Sequence, residues 1–139
     1  MLCDASVVLI VNGHKFLLIK RSEFEGDPWS GQMAIPGGHR ENDENCEQAA
    51  IREVREEINL DIDITKNLGI YHTLNQSISV MAFESKKVSG EIRIDNEIDR
   101  YFWVDFNDLF PDGEEYIFKN YRIFGLTYRI LSDYMKNYL

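Results

Sequence analysis

The sequence predicts an α/β domain built on a mixed β-sheet. Two apolar runs, 5–11 and 16–21, flank Asn12-Gly13, a pair suited to the positive φ angles of a tight hairpin. A helical stretch at 46–58 is followed by several β-rich runs, and the chain closes with apolar residues at helical spacing. Hairpins on both sides of a single internal helix imply a sheet that is mixed rather than purely parallel.

Each element has a local reason. "ASVVLIV" and "FLLIKR" are short apolar runs rich in β-branched residues, as buried strands are. "EFEGDPWSG" is a loop punctuated by Gly26, Pro28 and Gly31, and "QMAIPGG" is a short strand ending in a flexible turn. The helix at 46–58 can be capped by Asn45, with Gln48 placed to complete a capping box. Asn59 follows it, where a left-handed residue often stops a helix. Strands are expected around "LDIDI", "LGIYHTL", "SISVMAFES" and "RYFWVDF". In "YRIFGLTYRILSDYMKNYL", Ile123, Phe124, Leu126, Ile130, Leu131 and Tyr134 predict a C-terminal helix packed on the sheet.

The 139 residues suit one domain, 1–139. An apolar fraction of 44% and a charged fraction of 28% are those of a globular protein. The net charge of −9 disfavours a binder of nucleic acid duplexes, which gains affinity by neutralising phosphates. It suits a protein that binds cations, and metal ions can bridge such a surface to an anionic substrate. Cys3 and Cys46 lack zinc-site spacing and read as reduced thiols. The start carries Asp4 and no basic leader, and the run "SVVLIV" is too short to cross a bilayer. A cytoplasmic protein without membrane association, monomeric or homodimeric, is the expectation.

The stretch "AAIREVREEINL" poses the functional question. A helix turns by about 100° per residue, so with Glu53 at zero Glu57 lies near about +40° and Glu56 near about −60°. Ala50, Ile51, Val54 and Ile58 lie beside this stripe, which therefore borders the apolar face. Like charges one turn apart cost about 0.2–0.5 kcal/mol per pair in an isolated helix. A divalent cation compensates that cost, and Mg2+ takes oxygen ligands of this type. Alone, the run also reads as a solvated face with Arg52 and Arg55 as neutralising partners.

The wider pattern, "GGHRENDENCEQAAIREVREEINL", resembles the Nudix hydrolase signature. Gly38, Glu44, Arg52, Glu53, Val54, Glu56, Glu57 and Leu60 occupy its positions, and Asn59 replaces its last glycine. Asn tolerates the left-handed conformation, so the departure touches helix termination. The resemblance implies an α/β/α sandwich around a mixed sheet. It also implies hydrolysis of a nucleoside diphosphate derivative by water attack on phosphorus, assisted by Mg2+ or Mn2+. Glu53, Glu56 and Glu57 would be the main metal ligands, with Glu44 a further ligand or their support. Arg52 would orient carboxylates, and Gly37 and Gly38 would let backbone approach metal and phosphates closely. The general base is either a box glutamate or one outside it, of which Glu97 is the foremost, ahead of Asp95 and Asp99. Lys20, Arg21 and Arg40 are candidate phosphate contacts, and His39 a substrate contact; each also reads as a surface residue.

The group linked to the diphosphate stays open: nucleotide sugar, dinucleotide, nucleoside triphosphate or coenzyme A. "SGQMAIPGG" and "FGLTYRIL" resemble the coenzyme A diphosphatase branch. Asp27 stands at that branch's arginine position and Ile35 at its phenylalanine position. Trp29 either stacks on a base or packs. A non-catalytic module that senses nucleotide or protein on the same scaffold is the alternative from another class; the full set of box carboxylates argues against it.

Overall fold

The computed structural model describes residues 3–26, 30–73 and 77–139. Twelve strands and two α-helices are present among them. The strands are β1 (Ala5–Asn12), β2 (Lys15–Arg21), β3 (Met33–Ala34), β4 (Gly37–His39), β5 (Asp61–Asp63), β6 (Lys66–His72), β7 (Ser79–Ser85), β8 (Lys87–Ser89), β9 (Ile98–Asp105), β10 (Phe110–Asp112), β11 (Glu115–Phe118) and β12 (Tyr121–Ile123). The helices are α1 (Cys46–Ile58) and α2 (Gly125–Tyr138).

The principal sheet runs β3-β2-β1-β7-β6, with β4 also on β1 and β9 also on β2. β1 and β7 are parallel and the other pairs antiparallel, so the sheet is mixed, as predicted. β7 occupies one edge of β1 over Ala5–Ile10. The other edge is shared, with β4 on Ala5–Val7 and β2 on Val11–Asn12. This sharing brings the Gly37-Gly38 turn against the central strand.

Alternation along the strands divides the core. Val8, Ile10, Leu17 and Ile19 face α1, where they meet Cys46, Ala50, Val54 and Ile58. Leu9, Val11, Phe16 and Leu18 face the other way and pack with Ile130, Leu131 and Tyr134 of α2. The result is helix, sheet, helix: the expected sandwich.

The capping expectations hold. The Asn45 side chain accepts from the Gln48 N–H (2.8 Å) and Gln48 Oε1 accepts from the Asn45 N–H (2.9 Å). Asn59 is left-handed, φ 62 and ψ 31.

Three readings are corrected. The C-terminal helix starts at Gly125; Tyr121–Ile123 instead forms β12, paired to β11 through Tyr116 and Ile123. Its short apolar–polar alternation was absorbed into the helical periodicity that follows. β5 falls in the expected "LDIDI" strand, but its partner β8 and the β10-β11-β12 meander are strands the sequence did not announce, because they are short and carry few apolar residues in alternation. Cys3 and Cys46 form a disulfide across 43 residues of chain. Pairing of β1 with β4 folds the loop ahead of α1 back onto the start of β1, a proximity that spacing in sequence does not reveal.

Candidate active site

Four segments build the site: α1, the Gly37-Gly38 turn, the end of β2 and the loop before β9. α1 lies close to the sheet because its inward residues are mostly small. Glu57 therefore sits at the sheet surface, only 3% exposed. Its Oε1 accepts from the Gly37 N–H at 2.9 Å, and Arg21 approaches its Oε2 at 3.8 Å. Burial pushes the Glu57 carboxyl up to about 8, against the Gly37 hydrogen bond, and the nearby charges of Glu53 and Asp95 add to the rise.

Glu53 lies one turn earlier and half-buried. A Cβ on Gly38 would stand 2.5 Å from its carboxylate, so only glycine leaves room for the carboxylate there. Burial raises the Glu53 carboxyl too, while Arg52 opposes the shift; Glu56 and Glu97 reinforce it. Charge repulsion among these acids is thus written into their proton affinities.

Arg52 gathers the remaining acids. Its Nε donates to Glu44 Oε2 (2.5 Å) and its Nη2 to Glu44 Oε1 (3.0 Å). Its Nη1 donates to Glu53 Oε2 (3.0 Å) and to Glu56 Oε1 (2.9 Å). Nη2 also reaches the His39 carbonyl at 2.9 Å. One guanidinium therefore ties the loop before α1 to the helix. Its hydrogen bonds hold Glu44 below the usual carboxylate range.

A cavity of about 960 Å³ opens over this edge of the sheet. Glu53, Glu57, Gly37, Gly38, His39, Arg21, Asn96 and Glu97 line it at one end. Glu97 arrives from the turn before β9, where its N–H donates to Asp95 Oδ1 (2.9 Å) and its carbonyl accepts from the Ser22 N–H (2.8 Å). A glutamate 40 residues from Glu57 in sequence thus faces the same space.

The NUDIX domain family matches residues 1–122 of the chain. The chain belongs to the Nudix family. A relative described as an ADP-ribose pyrophosphatase, from Methanocaldococcus jannaschii, is 30% identical over 105 residues, covering 73% of this chain and 60% of that protein. The chain therefore spans less than two thirds of that relative's length. Its fold is that of a MutT Nudix hydrolase from Burkholderia pseudomallei, with a TM-score of 0.73 at 23% identity over 92% of this chain and 94% of that one. A Nudix hydrolase from Nitrosomonas europaea gives 0.74 at 24% identity, covering 96% and 70%.

The Nudix residues do not all share one place. Glu53, Glu57, Glu97, Gly37 and Gly38 line the cavity. Glu44 and Glu56 stand outside its lining on Arg52, and Glu56 is exposed. Arg40 also stands outside: its Nε donates to the Cys3 carbonyl (2.8 Å) and its Nη1 to the Glu44 carbonyl (3.0 Å), bracing the loop before α1. Lys20 pairs with Asp99 at 3.4 Å. Asp27 and Trp29 fall outside the described residues.

No group of three or more histidine, cysteine or carboxylate side chains among the described residues is drawn together as a preformed metal cluster. The donor chemistry nevertheless fits a hard divalent cation. The available atoms are carboxylate oxygens, and burial beside like charges makes Glu53 and Glu57 hold protons more tightly than free glutamates do. Three carboxylates, Glu53, Glu57 and Glu97, outnumber the guanidinium of Arg21 at that end of the cavity, an excess of negative charge that a divalent cation would offset.

Sequence reasoning missed Phe24, Asn96, Thr127 and Arg129, all of which line the cavity. Phe124 was counted only as a packing residue of the C-terminal helix. Its 43% exposure contradicts that role, and no spacing rule exposes such a residue in advance.

Proposed function

We propose that the chain is a pyrophosphohydrolase that cleaves the diphosphate bond of a nucleoside diphosphate derivative. Nudix hydrolases as a family act on small nucleotide derivatives and generally use divalent metals such as Mg2+. One observation carries the reading for this chain: Glu53 and Glu57 from α1 and Glu97 from a distant loop line one cavity beside the Gly37-Gly38 turn.

The residues divide the work. Glu53, Glu56 and Glu57 would hold Mg2+ or Mn2+, with Glu44 supporting them through Arg52. Held there, the ion would supply charge to neutralise the diphosphate and would lower the pKa of water. Arg52 orients the carboxylates, and Arg21, beside Glu57, meets phosphate oxygen. Arg40 keeps the loop before α1 in register. Water attacks one phosphorus, the bridging P–O bond breaks toward the other phosphate, and two phosphate monoesters leave. The proton lost by water passes to a carboxylate, and Glu97 suits this role because no described residue hydrogen-bonds its side chain. The nucleotide substrate and the divalent ion both suit a cytoplasmic setting, and no helix among the described residues is long and apolar enough to cross a membrane.

The test is a substrate panel of ADP-ribose, nucleotide sugars, dinucleoside polyphosphates, nucleoside triphosphates and coenzyme A, assayed with Mg2+ and with Mn2+. Hydrolysis of one class, abolished by chelation and by Glu53→Gln, supports the reading. Folded protein that hydrolyses none of them with either ion overturns it.

A further inference from the structure

Between β8 and β9 the chain runs through residues 90–97 without helix or strand, yet its path is fixed at the end of α1. The last carbonyls of a helix have no acceptor role within it. Here the Arg93 N–H donates to the Ile58 carbonyl at 3.0 Å, and the Asp95 N–H donates to the Glu57 carbonyl at 3.2 Å. The segment therefore closes α1 from downstream, at the turn that carries Glu57.

Asp95 does more than make that contact. Its Oδ1 accepts from the Glu97 N–H at 2.9 Å, an Asx turn that sets the direction of the chain two residues on. Its carbonyl accepts from the Ile98 N–H at 3.2 Å, where β9 begins. Three groups of one residue thus join the end of α1, the Glu97 turn and the start of β9. On the far side, the Glu97 carbonyl accepts from the Ser22 N–H at 2.8 Å, just past β2.

These contacts give the three nearby acids different places. Asp99 is turned to Lys20 at 3.4 Å and to Arg100 at 3.1 Å. Asp95 is half-buried and its carboxylate is engaged, whereas Asn96 and Glu97 line the cavity. Glu97 is itself exposed, so packing does not place it; the backbone beneath it does. Freeing that backbone would multiply the positions its carboxylate samples, and a displaced base takes up a proton less often.

Resting on the pyrophosphohydrolase reading and on Glu97 as acceptor of the water proton, we propose that Asp95 is a positioning residue: through its N–H and its Oδ1 it fixes Glu97 relative to Glu57 across the cavity. The hydrogen bond carries this role rather than the negative charge. Asparagine offers the same acceptor without the charge, and glutamate keeps the charge on a side chain too long to close the turn.

The variants Asp95→Ala, Asp95→Asn, Asp95→Glu, Glu97→Gln and the double variant Asp95→Ala/Glu97→Gln test it on a substrate that the intact chain hydrolyses. Asp95→Ala and Asp95→Glu should lower kcat by about tenfold or more, with KM changed by less than about twofold. Asp95→Asn should recover most of that loss. Once position 97 is glutamine there is no base left to place, so the double variant should be no slower than Glu97→Gln alone. Apart from activity, hydrogen exchange of the Glu97 amide should quicken by about tenfold or more in Asp95→Ala and Asp95→Glu, and return in Asp95→Asn. If Asp95→Ala fails to fold, the contrast between Asp95→Asn and Asp95→Glu decides. Wild-type kcat in Asp95→Glu, Asp95→Asn as slow as Asp95→Glu, losses that multiply in the double variant, or unchanged exchange at Glu97 overturns the positioning role and leaves hydrolysis standing. Wild-type kcat in Glu97→Gln overturns it too. A folded chain that hydrolyses nothing sinks the pyrophosphohydrolase reading and this one with it.

Discussion

The two helices cover opposite faces of one sheet in different ways. α1 meets the sheet through Cys46, Ala50, Val54 and Ile58, mostly small side chains. α2 meets it through Ile130, Leu131 and Tyr134, with the Tyr134 ring stacked on Phe106 at 5.7 Å. On α1 the polar residues bordering the buried stripe each have a set place: Glu57 under the Gly37 N–H, Glu53 against Gly38, Arg52 among Glu44, Glu53 and Glu56. On α2 the polar anchors are fewer: Tyr134 Oη donates to Glu84 Oε2 and Tyr71 Oη to Asp133 Oδ2, both at 2.7 Å, and Arg129 Nη2, beside the cavity, donates to the His72 carbonyl at 2.9 Å. A helix that must deliver carboxylates to one point is constrained residue by residue. A helix that mainly covers a face is constrained chiefly in size and apolarity.

The contrast is broken most directly at Glu57. Glu57→Gln keeps an acceptor for the Gly37 N–H and removes a buried charge. Turnover should fall by about 10²-fold or more, with an unchanged or higher Tm by calorimetry. Wild-type kcat in this variant would show that the Glu57 carboxylate takes no part in the chemistry. The same variant fixes the sign of a pH effect. Glu57 titrates near 8 in the folded protein against an ordinary 4.5, so folding favours its protonated form. That stabilisation is complete below about pH 4.5 and is lost as pH rises toward 8. Metal-free wild type should therefore lose urea resistance between those limits, while Glu57→Gln should not.

Gly37 and Gly38 sharpen the comparison within one turn. Gly37 has φ +155, and a Cβ there would meet Val7 Cα at 2.6 Å and the Ser6 carbonyl oxygen still closer. Backbone cannot yield, so Gly37→Ala should cost about 2–4 kcal/mol of stability. At Gly38 the obstacle is the far end of the flexible Glu53 side chain, which can swing away. Gly38→Ala should lower kcat sharply with little change in Tm. Equal Tm losses in the two variants would mean that Gly38, too, serves the fold alone.

α1 was legible because its chemistry dictates residue types at fixed spacing, and its caps, Asn45 and Asn59, carry local geometric demands. The hairpin of β1 and β2 was legible for the same reason, through Asn12-Gly13. Glu97 and Arg21 were named as candidates but could not be placed, and Phe124 was read as packing. Local sequence could not show that they share one cavity; they reach it because β9 pairs with β2 and β12 with β11. Phe124 carried a misleading signal, since an apolar residue in phase with Leu131 reads as core until β12 is known to end at Ile123. The disulfide was hidden likewise, because only the β1–β4 pairing brings Cys3 to α1.

On the other face, Tyr134→Phe removes a donor from Glu84, a carboxylate only 2% exposed that retains Thr65 Oγ1 at 2.6 Å. A loss of about 1–2 kcal/mol in denaturant unfolding is expected, with kcat unchanged. A fall in kcat at unchanged stability would mean that α2 shares the constraint seen in α1.

The smallest effect belongs to the residue where this chain departs from the Nudix signature. Asn59 stands at φ 62, where glycine is relaxed and asparagine is tolerated. Asn59→Gly removes residual steric cost, worth up to about 1 kcal/mol. It also removes the hydrogen bond that Asn59 Nδ2 donates to the Glu91 carbonyl at 3.0 Å, an exposed bond worth about 0.5–1 kcal/mol. The two nearly cancel, so Tm should stay or rise slightly, and kcat should not move. A clear fall in Tm would mean that asparagine is kept here to tie the end of α1 to the strand-free segment before Glu97, and that the departure supports the placement of that glutamate as well as helix termination.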